Sequence, residues 1–218
     1  MEMRPYLSSF GRNRGRSLSP RQQALVDGLL PTLALNTQEL SRYNRVALEI
    51  GFGGGEHIGA LARTHPETLA IGCEPYINGV AKLLVDIDEW KLSNIRLYTQ
   101  DARELMETLP DGCIDDAYIL FPDPWPKAKH NKRRLVNQDT LERLARTHKS
   151  GGKLLLATDH YDYAIWMLEQ LHLTPHYRWL AESSADWLNP PAEWVETKYQ
   201  RKTTAEGRAP QFFSCVKI

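Results

Sequence analysis

Short runs of hydrophobic residues alternate with longer amphipathic stretches over most of this 218-residue chain. The runs predict six strands: Val46–Ile50, Leu69–Glu74, Ile95–Tyr98, Ile114–Phe121, Lys153–Thr158 and Phe212–Ile218. The stretches between them predict helices from Gly55 to before Pro66, then at about 76–92, Thr140–His148 and Tyr161–Leu171. Strands that alternate with helices in this way predict an α/β fold with a parallel sheet and right-handed crossovers.

The remaining chain forms extensions and one insertion. Residues 1–20 are rich in Arg, Ser and Gly, with Glu2 as the single acid, and predict a flexible basic arm. Composition equally allows a disordered terminus without a role. Ser19-Pro20 indicates a helix start, so 21–45 is interpreted as an N-terminal helix and linker. Residues 46–218 then form one domain, in which the irregular segment 181–210 is an insertion expected to serve the substrate. The arginines of the N-terminal region are Arg4, Arg12, Arg14, Arg16 and Arg21.

Composition narrows the cellular setting and the kind of chemistry. The 27 basic and 27 acidic residues balance, so nucleic-acid binding would have to come from local basic patches. Cys73, Cys113 and Cys215 show no metal-ligand spacing and predict reduced core thiols. No apolar run approaches membrane-spanning length. These observations predict a soluble, cytoplasmic protein that uses no metal, and they leave a monomer or a homodimer open.

Acidic residues and glycines stand where four predicted strands end. They are Glu49 with the loop Gly51–Gly55, then Glu74, Asp101 and Asp123. Ligands of parallel sheets bind beyond the carboxyl ends of the strands. The loop lacks the third glycine of the dinucleotide pattern, which disfavours a dehydrogenase. Glu74, which lies 23 residues beyond Gly51, suits the two hydroxyls of a ribose. Asp101 suits the edge of an adenine ring. This order of groups predicts a site for S-adenosylmethionine.

The block Phe121–Arg134, FPDPWPKAKHNKRR, joins a stiff loop to a basic cluster. Three prolines in five residues impose an extended loop that carries Asp123 and Trp125. The cluster predicts contacts with nucleic-acid phosphates. Its candidate RNA-contacting residues are Lys129, His130, Asn131, Lys132, Arg133 and Arg134, after Lys127. A proline-rich turn followed by a solvated basic helix is the simpler alternative.

The segments LEIGFGGG, GCEP, FPDPWPKAKHNKRR, ATDH and TKYQRK, with the position of Asp101, resemble the bacterial tRNA (guanine-N7)-methyltransferase family. The resemblance covers about 46–218 and the basic arm. It implies a doubly wound, mostly parallel seven-stranded sheet, the Rossmann-like fold of class I methyltransferases. It also implies methyl transfer from S-adenosylmethionine to N7 of guanosine at position 46 of tRNA.

The resemblance further implies roles for individual residues. Asp123 would be the catalytic acid, and the cofactor site would include Glu49, Gly51, Gly53, Glu74, Asp101 and Asp123. The tRNA substrate would meet Lys127, Asp159, Thr197, Lys198, Tyr199 and Gln200. The family often has Glu where Gln200 stands and Arg where Lys129 stands, so a charge-based role at either position is open.

Several alternatives remain at the level of the sequence. From spacing, Asp159 is equally a helix N-cap, and Thr197–Lys202 is a polar loop. Trp125 either stacks on a base or packs under its own loop. An exocyclic-amine nucleobase methyltransferase is the second enzyme reading, although Asp123-Pro124-Trp125-Pro126 lacks the adjacent prolines of such enzymes. An RNA-binding module with a decayed cofactor pocket is a third.

Overall fold

One seven-stranded sheet organises the computed structural model, which describes residues 15–192 and 194–218. The strand order is β3-β2-β1-β4-β5-β7-β6. The first five strands pair in parallel, and β7 runs antiparallel to both β5 and β6. The strands are β1 Arg45–Ile50, β2 Thr68–Cys73, β3 Ile95–Tyr98, β4 Ile114–Leu120, β5 His148–Thr158, β6 Tyr177–Trp179 and β7 Gln211–Lys217.

Helices cover both faces of this sheet. They are α1 Pro20–Gly28, α2 Glu56–Thr64, α3 Ile77–Trp90, α4 Ala102–Thr108, α5 Gln138–Thr147, α6 Tyr161–Leu173, α7 Ala185–Leu188 and α8 Lys198–Ala205. Short 3-10 helices lie at Leu30–Leu33, Thr37–Arg42 and Ala128–Arg133. One apolar core packs α4, α5 and α6 against the sheet, and a second packs α2 and α3 against the other face. The α/β, doubly wound sheet expected from the sequence is confirmed.

The N-terminal segment packs on the domain from residue 15 onward. Ser19 caps α1 by accepting from the Gln22 amide while the Gln22 side chain accepts from the Ser19 amide. Gly15 N donates to Asn78 Oδ1 at 2.7 Å, and Asn78 Nδ2 donates to the Arg16 carbonyl at 2.6 Å. The chain therefore enters the fold beside the first turn of α3.

The predicted basic arm rests on the arginines near the N-terminus. Arg4, Arg12 and Arg14 lie outside the described residues, so the basic arm stays a prediction. Arg21 forms an ion pair with Asp88 of α3 at 3.4 Å.

Local expectations were wrong in four places. β5 begins at His148, before the predicted Lys153, and contains an irregularity, because Ile114 pairs with His148 and Asp116 already pairs with Lys153. The helix α4 and the short strand β6 had no clear hydrophobic run to reveal them. The segment 181–210 is not wholly irregular, since it contains α7 and α8.

The three cysteines lie where the sequence suggested. Cys73 and Cys215 are buried and Cys113 is half-buried. Burial raises the pKa of Cys113 to about 11 and that of Cys215 to about 12, so both thiols stay protonated at neutral pH. In the described part of the chain, no helix has the length and apolarity needed to cross a bilayer.

Candidate active site

Three acidic side chains gather at the carboxyl ends of adjacent strands. Glu49 lies on β1, Glu74 follows β2 and Asp123 follows β4, and β1 is the neighbour of both other strands. Burial raises the pKa of Glu74, and the charges of Asp123 and Glu49 add to the shift. Parallel pairing therefore brings together acids that are up to 74 residues apart in the chain.

Glu74 is fixed by backbone groups on both sides. Gly53 N donates to its Oε2 at 2.8 Å, and Tyr76 N donates to its Oε1 at 2.9 Å. Each carboxylate oxygen has two acceptor sites, so both oxygens can still accept a hydroxyl. These acceptors fit the two hydroxyls of a ribose. Glu74 would hold the ribose of S-adenosylmethionine through its two oxygens.

The glycine loop needs glycine for conformation and for space. Gly51, Gly53 and Gly55 have φ of 78°, 55° and 83°, a region that disfavours any side chain. The loop also lies directly on α3, because a Cβ at Gly79 would stand 2.1 Å from the Gly53 carbonyl oxygen. Gly51 is exposed and Gly53 is half-buried, so a ligand at the sheet edge can approach the backbone of these two residues.

His57 is a buried residue of this site that sequence analysis missed. Its Nδ1 lies 2.8 Å from Glu49 Oε2. Its ring packs on Tyr118, with the ring centroids 4.6 Å apart, and lies 5.9 Å from the ring of Trp194. The only signal in the sequence was a histidine in the first turn of the helix after the glycine loop.

Asp101 has a local partner. Its carboxylate caps α4 by accepting from Arg103 N at 2.9 Å, and it also accepts from Arg103 Nε at 2.8 Å. Burial opposes ionisation, but the Arg103 hydrogen bonds prevail and lower the pKa of Asp101. Asp101 is therefore an ionised cap at the end of the third strand, and its contact with adenine stays a prediction.

The loop that carries Asp123 is strained at both ends. Phe121 has φ of 51° and Trp125 has φ of 45°, in the left-handed region that large side chains avoid. Each such residue costs about 1–3 kcal/mol and persists only where surrounding contacts impose it. Between them, Pro122 and Pro124 restrict the backbone on either side of Asp123. Asp123 itself is exposed, so this rigid loop presents its carboxylate to solvent at the sheet edge.

The basic block divides into an exposed part and a buried part. Lys127, Lys129 and Lys132 are exposed, while His130, Asn131 and Arg133 are half-buried. The expectation that Arg134 contacts RNA was wrong, because its side chain is only 1% exposed and pairs with Asp162. The simpler reading of a solvated basic helix does not hold for the whole block either.

Trp125 packs within its own block. The Arg133 guanidinium lies 4.9 Å from the centre of the indole, and the His130 ring meets it edge-on at 5.9 Å. The Trp125 ring is half-buried against these neighbours, as expected if it packs within its own loop.

The predicted substrate segment is a helix, not a polar loop. Thr197 caps α8 by accepting from Gln200 N at 3.1 Å. The ring of Tyr199 lies 5.4 Å from that of Phe121, which places α8 next to the strained loop. Asp159 is not a helix N-cap, because α6 begins after His160.

Asp159 instead connects the fifth strand to α8 and to the chain beyond it. Its Oδ1 accepts from the Tyr199 hydroxyl at 3.3 Å, and its Oδ2 lies 2.7 Å from Arg208 Nη1. Arg208 is a second residue that sequence analysis missed, since it lies in an ordinary polar stretch. The structure thus brings Asp159 and Tyr199 together, and their contact with the tRNA substrate stays a prediction.

The other two substrate candidates face different neighbours. Lys198 Nζ lies 3.8 Å from Glu56 Oε1 at the start of α2. Gln200 is buried, and its Oε1 accepts from Trp194 Nε1 at 2.7 Å. A neutral amide suits that position, because it provides an acceptor without placing a charge in the interior.

The fold is that of a class I methyltransferase. The profile of the family described as "Putative methyltransferase" matches residues 43–212. The tRNA (guanine-N(7)-)-methyltransferase of Caulobacter vibrioides (strain NA1000 / CB15N) is 46% identical over 217 residues, which cover 97% of this chain and 95% of that protein. The enzyme of the same name from Zymomonas mobilis is 41% identical and covers 96% of this chain and 94% of its own length. The chain belongs to this tRNA (guanine-N7)-methyltransferase family.

Solved structures agree on the fold. The 16S rRNA methyltransferase KamB superposes with a TM-score of 0.59 at 18% identity, over 83% of this chain and 91% of its own. The 16S rRNA (adenine(1408)-N(1))-methyltransferase from Catenulisporales acidiphilia gives a TM-score of 0.56 at 16% identity, over 84% of this chain and 94% of its own. At these identities the likeness concerns the fold alone.

Proposed function

We propose that this protein transfers a methyl group from S-adenosylmethionine to N7 of a guanosine in tRNA, at position 46 of the variable loop. The names of the relatives from Caulobacter and Zymomonas support the base and the atom. The observation that carries the proposal is Asp123, an exposed carboxylate on a strained loop whose neighbours are a buried ribose-type acid and a row of exposed lysines. That arrangement joins a nucleoside-binding edge to a surface suited to phosphates.

Guanine N7 is suited to a site of this kind. It has an in-plane lone pair and no proton at neutral pH, so transfer requires positioning more than a general base. S-adenosylmethionine, when bound, supplies an electrophilic methyl group on a sulfonium. With the cofactor held by Glu74, the methyl carbon would accept the N7 lone pair, and the electrons of the carbon–sulfur bond would remain on sulfur. The purine becomes cationic in this step.

Each group of residues then has a defined task. Glu74 holds the ribose hydroxyls and so fixes the donor relative to β1 and β4. Asp123 stabilises the positive charge that develops on the purine, through a carboxylate that needs no reorganisation during the reaction. Lys127, Lys129 and Lys132 bind tRNA phosphates, which positions the variable loop over the sheet edge.

Incubation with methyl-labelled S-adenosylmethionine and unmodified tRNA, followed by nucleoside analysis, tests the proposal directly. The expected product is 7-methylguanosine. A matched tRNA with 7-deazaguanine at position 46 keeps its shape and its Watson–Crick edge but lacks the nucleophile, so transfer should cease. An exocyclic-amine methyltransferase would still modify the 7-deaza tRNA. Incorporation into that tRNA at the normal rate would contradict the N7 assignment.

The variant Asp123→Asn tests the role of the loop carboxylate in the same assay. Loss of one preorganised electrostatic contact should lower kcat by about 10²-fold. The affinity for tRNA should change little, because Asp123 contributes no attraction to phosphates. A variant with normal kcat would remove Asp123 from the catalytic step.

A further inference from the structure

Arg134 is the last residue of the basic block and is buried in the protein interior. Only 2% of the residue is exposed, whereas Lys132 and Lys129 of the same block are exposed. A buried guanidinium requires partners for its charge and its donors. Those partners belong to the loop after β4 and to α6 after β5.

The guanidinium connects these two elements directly. Its Nε donates to the Pro124 carbonyl at 3.0 Å, and its Nη2 forms an ion pair with Asp162 of α6. Pro124 stands between Asp123 and Trp125, so the accepting carbonyl lies in the centre of the strained loop.

Aromatic rings hold the guanidinium in this position. It lies 5.0 Å from the centre of the Tyr163 ring and 5.2 Å from that of Trp166. Both rings are themselves fixed on the backbone of Val136. Val136 N donates to the Tyr163 hydroxyl at 3.2 Å, and Trp166 Nε1 donates to the Val136 carbonyl at 2.7 Å.

We propose that Arg134 is a positioning residue that holds the loop Phe121–Trp125 in its strained conformation and thereby aims Asp123 at the substrate base. The two residues at the loop ends adopt φ of 51° and 45°, and such a backbone persists only under constraint from outside. The bond from Arg134 to Pro124 is a constraint of this kind. The part of this inference that concerns catalysis rests on the proposed function of Asp123.

The chemistry of arginine explains why lysine would not serve here. A planar guanidinium donates in several fixed directions and packs flat against aromatic rings, so it can bind a carbonyl and a carboxylate at once. An ammonium group at the end of a flexible stem cannot reproduce that geometry. Arg134→Lys therefore keeps the charge and removes the constraint.

The test compares Arg134→Lys with Lys132→Ala, a neighbouring variant on the exposed side of the block. Arg134→Lys should lower kcat about 10²-fold, because small misplacement of a catalytic group has effects of that size. Its dissociation constants for tRNA and S-adenosylmethionine should remain those of the wild type. Lys132→Ala should show the opposite pattern, with weaker tRNA binding and a flatter salt dependence, so that its effect falls on the affinity for tRNA. Loss of tRNA affinity with normal kcat in Arg134→Lys would instead mean that Arg134 contacts a phosphate, and would overturn the inference.

Two further measurements keep the inference testable if Arg134→Lys does not fold. Asp162→Asn removes the charge of one partner and leaves the bond to Pro124, so kcat should fall by a smaller factor. The backbone carbon chemical shifts of Phe121 and Trp125 depend on φ and ψ, and in both variants they should move away from left-handed values. An Asp162→Asn variant with unchanged kcat and unchanged shifts would overturn the inference. If the wild type transfers no methyl group to tRNA, the proposed function fails, and the chemical shifts alone then decide whether Arg134 holds the loop.

Discussion

His57 Nδ1 lies 2.8 Å from Glu49 Oε2, and both residues are buried beside the glycine loop. The tautomer of His57 that carries its proton on Nδ1 would donate this hydrogen bond to the carboxylate. The bond fixes one of the acids predicted to hold the cofactor. The His57 ring also packs on Tyr118, which holds the histidine in place. Loss of the hydrogen bond from His57 would therefore free the Glu49 side chain to rotate.

We therefore expect His57→Phe, which keeps a ring but loses the donor, to raise the KM for S-adenosylmethionine about tenfold, as for a lost hydrogen bond to a charged group. His57→Asn can place an N–H near the Nδ1 position and should retain most of the affinity. His65→Gln, at the exposed end of the same helix, is the control. Equal effects of the Phe and Asn variants would argue against the hydrogen bond as the cause.

The raised pKa of Glu74 predicts how the affinity for S-adenosylmethionine depends on pH. Burial raises the pKa of this carboxyl, and protonation removes acceptors for the ribose hydroxyls. Affinity for S-adenosylmethionine should therefore fall on acidification, with a midpoint above the usual range for glutamate. Calorimetry across pH measures this. Glu74→Gln should bind more weakly at neutral pH and without this pH dependence, while a wild type with flat affinity would contradict the assignment.

The raised pKa of Glu74 also predicts how the stability of the protein depends on pH. The folded state binds the Glu74 proton more tightly than the unfolded chain does. The contribution of Glu74 to the free energy of unfolding is therefore favourable below the pKa in the unfolded chain, and it is lost as pH rises through the pKa in the folded protein. Glu74→Gln should consequently unfold at higher temperature than the wild type at neutral pH. Thermal denaturation checks this, and a lower melting temperature would mean that the hydrogen bonds from Gly53 and Tyr76 outweigh burial.

The contact between Gly79 and the glycine loop predicts a steric effect on the cofactor site. In Gly79→Ala the new Cβ would stand 2.1 Å from the Gly53 carbonyl oxygen, so the loop must move. We expect weaker binding of S-adenosylmethionine. Gly59→Ala is a matched control on α2, because its Cβ would meet Leu83 at 3.4 Å, an ordinary contact. Normal affinity in Gly79→Ala would show that the loop adjusts without cost.

The exposed lysines predict the salt dependence of tRNA binding. Replacement of Lys127, Lys129 and Lys132 by alanine should weaken binding to all tRNAs and reduce the slope of log K against log salt by about 1 for each lost contact. Arg134 is excluded from this set because it is buried. A triple variant with the slope of the wild type would place the phosphates elsewhere on the surface.

The sequence by itself determined the order of six strands and, to within about one residue, where each of them ends. Hydrophobic runs located six of the seven strands, since a buried strand leaves a continuous apolar signature. The edge strand β6 has three residues and α4 has seven, which is too short for a periodic pattern to stand out. The acids at the strand ends were also visible, because parallel strands place their carboxyl ends at one edge.

Only the tertiary structure decided what each polar residue does inside that frame. Arg134 reads as one more basic residue in a basic block, and its burial depends on rings contributed by α6. His57 shows its role only beside Glu49, and Asp159 only beside Tyr199 and Arg208. The pattern of hydrophobic residues along the chain shows which helices and strands are buried. It does not show the partner of a single polar side chain, because that partner comes from a segment that is distant in the sequence.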